Sequence, residues 1–191
     1  MRIVELIIDE SDEQSGIEAV SLVETPAIEE NFIALNKQQI LLKEVDKEKR
    51  ILMGAALVPN KQIYRRNEKT NDEYYIYFSK DTVRKASELF FKRSNHKNAT
   101  YEHKQPIKGT TIVESWIVEN TKKDKSAHYG LNVPEGTWMI SMKIDDQELY
   151  NKAKEGEIKG FSIEGYFADR YDLQKDDTNQ EIIKQLKDLL K

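Results

Sequence analysis

Chemistry has few places to start in this chain. Cysteine is absent and histidine occurs three times, which removes disulfides, thiol nucleophiles and cysteine-ligated zinc or iron–sulfur centres. A nucleophile must be a serine, threonine, lysine or carboxylate, and the natural base near neutral pH is an imidazole. His96 lies in the polar stretch Ser94-Asn95-His96-Lys97-Asn98 and His128 in a charged loop, so both read as exposed side chains. His103 differs. It closes Ala99-Thr100-Tyr101-Glu102-His103 at the end of a predicted strand, just before a turn, where a rigid element can hold a ring at the rim of a cleft. A structural or surface role for it is the alternative reading.

Two other residues stand out by context. Period-2 alternation over 110–118 puts Ile112, Glu114, Trp116 and Val118 on one strand face, so Glu114 is an acid among apolar neighbours. If that face is buried the carboxylate needs a partner, and an imidazolium is one candidate; a solvent-facing position is the other. Ser162 stands in Lys159-Gly160-Phe161-Ser162-Ile163-Glu164-Gly165, a hydroxyl within a predicted strand, with Phe161 and Ile163 directed the opposite way. Gly160 and Gly165 would let another backbone or a substrate strand come close. The spacing is not that of a nucleophile elbow, which has glycines two positions to either side of the serine and a helix after it. No metal is expected: no histidines stand at i, i+4, and Asp145-Asp146 and Asp176-Asp177 read as helix starts. No cofactor is expected either.

The elements that must position these residues follow from patterning. Residues 51–58, 74–78, 110–118, 138–144 and 160–168 read as strands, several of them nearly continuous in apolar content. Ser79 or Asp81 starts a helix carrying Val83, Ala86, Leu89 and Phe90, and Asp145 or Asp146 starts a shorter one with Leu149, Tyr150 and Ala153. Residues 119–136 read as a long charged loop. The chain divides into an N-terminal strand or arm at 1–45, a main domain at 46–175, and an amphipathic helix at 176–191 with Ile182, Ile183, Leu186, Leu189 and Leu190 on its stripe. The 1–45 segment is either a mobile arm or a strand pair packed on the core.

The 191 residues suit one generous domain. With 30 Lys and Arg against 34 Asp and Glu, the net charge is -4, which gives no basic footprint for nucleic acid. No apolar run reaches the roughly 20 residues a membrane span needs.

Four blocks, Tyr101-Glu102-His103, Ile112-Val113-Glu114-Ser115-Trp116-Ile117, Val133-Pro134-Glu135-Gly136-Thr137-Trp138 and 154–165, together resemble the XkdF-like serine proteases of tailed bacteriophages, relatives of the prohead (capsid maturation) proteases. The likeness covers about 50–168, and Val20-Ser21-Leu22-Val23-Glu24-Thr25-Pro26-Ala27-Ile28 looks like the leader of such proteins. The resemblance implies an α+β, mainly β fold: an assemblin-like closed β-barrel with flanking helices. It implies Ser162 as nucleophile and His103 as general base. Glu114 is the expected third member, on a hairpin with His103 through the turn at Pro106 to Gly109; Asp169 and Asp172 are the other acids considered. Where relatives often read Ser-Ile-Gly-Gly this chain has Ser-Ile-Glu-Gly, and Glu164 shares the strand face of Ser162.

The function so implied is cleavage of scaffold and major capsid precursor proteins during head assembly, in the host cytoplasm inside the procapsid. Self-cleavage of a leader near Leu22-Val23-Glu24 belongs to the same expectation, as does a second copy of the chain as partner. No nucleic-acid or membrane partner is expected. The rival reading is a catalytically inactive, scaffold-associated capsid assembly protein with the same fold.

Overall fold

The computed structural model describes residues 2–24, 43–46, 50–67 and 70–170. In chain order the strands begin β1 (Arg2–Ile7), β2 (Gly16–Val23), β3 (Lys43–Asp46), β4 (Ile51–Leu57), β5 (Ile63–Arg66) and β6 (Glu73–Tyr77). Helix α1 (Lys80–Lys92) and a short 3-10 turn at Asn95–Lys97 lead to β7 (Ala99–Tyr101), β8 (Gln105–Ile107) and β9 (Thr110–Ile117). There follow α2 (Lys125–His128), β10 (Trp138–Ile144), α3 (Gln147–Lys154), β11 (Gly160–Tyr166) and β12 (Ala168–Asp169).

The expected mainly β character holds, and the closed barrel does not. Among the described residues the strands form three four-stranded sheets, ordered β12-β1-β6-β5, β3-β4-β10-β9 and β11-β2-β7-β8, and none returns to its first strand. The edges explain why. β8 is three residues long and contains Pro106, which has no N–H to offer a further strand. β9 is bulged opposite Ser141 and Met142, and a bulge twists an edge away from further pairing.

β1 and β2 are woven into this framework. β1 runs parallel to β6, and β2 lies between β11, antiparallel, and β7, parallel. Val20 and Leu22 are fully buried and Val23 nearly so. The 176–191 helix and residues 25–42 lie outside the described residues.

One core fills the space between the sheets and α1, with Val20, Leu22, Phe90, Trp138, Ile140 and Phe161 among its members. Ser79 caps α1, its hydroxyl accepting from the Thr82 N–H, and Val83, Ala86 and Phe90 fall on the buried face at helical spacing. Asp146 caps α3 by accepting from Leu149 N–H at 2.8 Å. A second cluster gathers Met53, Val118, Leu131, Val133 and Met139. The loop at 119–136 therefore carries part of the core, and Trp116 Nε1 donates to Asp124 at 3.1 Å to pin it.

Gly165 is a point of close approach. A Cβ there would lie 2.0 Å from the Gly16 carbonyl oxygen and 2.8 Å from Ile17 Cα, so the neighbour that comes close is the chain's own β2. Gly165→Ala should therefore cost at least about 2 kcal/mol by forcing backbone apart. Gly156→Ala, at φ +80 with nothing within 4 Å, should cost only about 1 kcal/mol through its backbone conformation. Urea unfolding of both variants checks the order; equal losses would contradict it.

Candidate active site

The third sheet buries one face and leaves the other polar. Phe161, Leu22 and Val20 belong to the core. Ser162 pairs in register with Ser21 and Ser21 with Thr100, so three hydroxyls form a row across β11, β2 and β7 on the opposite face. Glu164 follows Ser162 by two residues and shares that face.

His103 reaches this row from the turn after β7. Glu102 and His103 both have positive φ, 50 and 55, and the Lys104 N–H donates to the Tyr101 carbonyl at 3.0 Å, which is the geometry of a type I′ turn. Neither residue is a glycine, so the turn is strained and must be held by its surroundings. Those contacts are specific. The His103 N–H donates to Ser21 Oγ at 3.1 Å, the Glu102 N–H donates to the Leu22 carbonyl at 3.1 Å, and the Glu24 N–H donates to Glu102 Oε1 at 2.5 Å. The Tyr101 hydroxyl donates to Glu24 Oε1 at 2.6 Å, and that carboxylate, aided by burial, pushes the phenol up to about 12.

From this turn the imidazole folds back across the hydroxyl row. His103 Nδ1 lies 3.1 Å from Glu164 Oε1, and Thr100 Oγ1 donates to the same oxygen. A carboxylate accepts, so Nδ1 is the donor in this contact, and in the neutral ring the lone pair then belongs to Nε2. Ser162 is 8% exposed, and among the described residues its hydroxyl makes no side-chain hydrogen bond. Ser162 also lines a cavity of about 810 Å³.

Glu114 lies elsewhere. β9 belongs to the second sheet, while the hairpin that carries His103 is β7–β8. The strand alternation expected over 110–118 breaks at Val113: Ile112 pairs with Met142 but Glu114 with Ser141. Adjacent residues of β10 face opposite ways, so the bulge turns Glu114 away from the face of Ile112. The partner its carboxylate needed is an ammonium: Lys125 Nζ donates to Glu114 at 2.7 and 2.5 Å. Asp169 is on β12, paired with Arg2, and Asp172 lies outside the described residues.

The residues that sequence patterning passed over are Ser21 and Thr100. Ser21 was visible as the one hydroxyl in Ala19-Val20-Ser21-Leu22-Val23. Among the described residues no three His, Asp or Glu side chains are grouped to hold a metal ion.

A serine, an imidazole and a carboxylate bound to Nδ1 on one sheet face form the donor set that serine hydrolases use. The family described as Putative phage serine protease XkdF matches residues 37–172, most of the chain, and the chain belongs to that family. No curated protein and no solved structure matches it.

Two outcomes follow from the contacts. Ser21→Ala removes the acceptor for the His103 N–H and should cost roughly 1–3 kcal/mol, measured by urea unfolding; an unchanged midpoint would contradict the anchoring. Lys125 holds the Glu114 carboxyl below its ordinary range, against a smaller opposing effect of burial. Its stabilisation is thus present above the unfolded carboxylate value and lost as pH falls through the lowered folded one. Because both side chains are substantially exposed, Lys125→Met should cost no more than about 1 kcal/mol at neutral pH. That difference should vanish below the carboxylate range, and an NMR titration should show the Glu114 carboxyl moving up.

Proposed function

We propose that the chain is a serine endopeptidase of phage head maturation in which Ser162 attacks, His103 is the general base and Glu164 orients the imidazole. The observation that carries this reading is the 3.1 Å contact between His103 Nδ1 and Glu164 beside the row that holds Ser162. Nδ1–H donates to Glu164, so Nε2 takes the Ser162 proton as the oxygen attacks a peptide carbonyl. The imidazolium, stabilised by Glu164, returns that proton to the leaving amine, and water then releases the acyl group from Ser162. Glu114, engaged by Lys125 on another sheet, takes no part in this reading.

Scaffold and major capsid precursor proteins are the proposed substrates, met in the host cytoplasm inside the procapsid. The support is the family's phage affiliation, together with a net charge of -4 that gives no electrostatic reason to bind DNA. Self-trimming is assigned no site at Leu22-Val23-Glu24. β2 is paired along both edges, and a cut there would sever the strand that carries Ser21 from the rest of the chain.

A second reading, a capsid assembly component that keeps the fold without cleaving, is favoured by the Ser162 hydroxyl's lack of a hydrogen bond to His103. Against it, catalytic hydrogen bonds are often long before substrate binds. Co-expression with the capsid and scaffold precursors separates the two. Ser162→Ala and His103→Ala should each lower cleavage roughly 10⁴-fold or more, and Glu164→Gln roughly 10²- to 10⁴-fold, while Glu114→Gln leaves it unchanged. Precursors left intact by the wild-type chain, or cut equally well by Ser162→Ala, would favour the non-enzymatic reading.

A further inference from the structure

The cavity beside Ser162 lies along β11, one edge of which carries no hydrogen-bonded strand among the described residues. β11 is the last strand of its sheet and pairs with β2 on its other edge. Phe161, Ser162 and Ile163 all line the cavity. Consecutive side chains of a strand face opposite ways, so three in succession put the cavity alongside the strand's backbone rather than over one face alone. An edge of this kind presents unpaired N–H and C=O groups in a row, which is a template for one more strand.

The far wall is apolar. Ala56, Leu57, Ile63, Ile76 and Phe78 line it from β4, β5 and the end of β6, each buried but none sealed completely. The charged residues of the lining include Arg2, Lys61 and Arg65 of one sign and Asp72, Glu73 and Asp169 of the other. Their signs balance, so the lining gives no reason to select a charged side chain. At about 810 Å³ the space falls in the range of pockets that enclose a sizeable ligand.

We infer that this cavity is the substrate-specificity site: an extended peptide adds to the free edge of β11, and two large apolar side chains, spaced by one residue on one side of the scissile bond, enter the apolar wall. The spacing follows from the period of a strand, which sends alternate residues to the same side. The main chain supplies sequence-independent pairing beside Ser162, and the pocket supplies the choice. This inference rests on the reading of Ser162 as the nucleophile.

The test combines two measurements on the purified full chain. A fluorophosphonate, too small to need the cavity, reports on Ser162 itself. A peptide library digested by wild type, with Ser162→Ala as the blank, reports on selection. Ser162 labelling together with cleavage enriched in two large apolar residues spaced by one is the expected result. Ala56→Leu, which narrows the cavity, should lower kcat/KM for such peptides roughly tenfold while leaving Ser162 labelling unchanged. Ile63→Ala, which widens it, should shift preference toward aromatic residues and serves if Ala56→Leu does not fold. A labelled Ser162 with no such enrichment, or with no peptide cleaved, overturns the specificity site and leaves the nucleophile standing. An unlabelled Ser162 removes both.

Discussion

The placement of one imidazole governs the site. His103 has no strand of its own to hold it, since it follows the last residue of β7 in a turn whose two central residues are both left-handed. Such a turn would favour Asn-Gly, and Glu-His is held there by neighbours that engage both backbone N–H groups, the Glu102 carboxylate and the imidazole. Ser21 holds the backbone of His103, Leu22 that of Glu102, and Glu164 the ring. Two strands, β2 and β11, therefore cooperate to aim one side chain. The consequence is that β2, drawn from the first part of the chain, is structurally inseparable from the site although it supplies no reacting atom.

The same face shows how a polar cluster is tolerated next to a core. Ser21 is fully buried, yet its hydroxyl donates to the Thr100 carbonyl at 3.4 Å and accepts from His103, so neither role is left unsatisfied. Glu164 receives both the Thr100 hydroxyl and the imidazole. Among the described residues Ser162 alone in the row has no side-chain hydrogen bond, whereas Ser21 and Thr100 each make one.

Much of this arrangement was legible from the residues. Ser162 and His103 stood out because the chain has no cysteine and few histidines, and because each fell at a rigid element. The strands β4, β6, β9, β10 and β11 followed from apolar runs and alternation, and the caps of α1 and α3 are among the alternatives expected there, whereas β5, β8 and the Asp124-capped α2 were not anticipated. What failed were features that depend on one residue or on distant edges. The bulge at Val113 adds a single position to β9 and so reverses the face of Glu114, and nothing in Ile112-Val113-Glu114 announces it. Barrel closure depends on whether terminal strands meet, which Pro106 in β8 helps prevent but which no local pattern decides. Glu164 was noticed as an acid near Ser162, but its role depends on reaching past β2 toward β7, a relation set by strand order.

The central claim is that the Glu164-held imidazole activates Ser162 and no other serine. Its most direct measurement is fluorophosphonate labelling of the wild-type chain, with the adduct located by peptide mass spectrometry. A single adduct on Ser162 is expected, one that disappears in His103→Ala and forms far more slowly in Glu164→Gln. An adduct on Ser21, or labelling of Ser162 at an equal rate without His103, would contradict it.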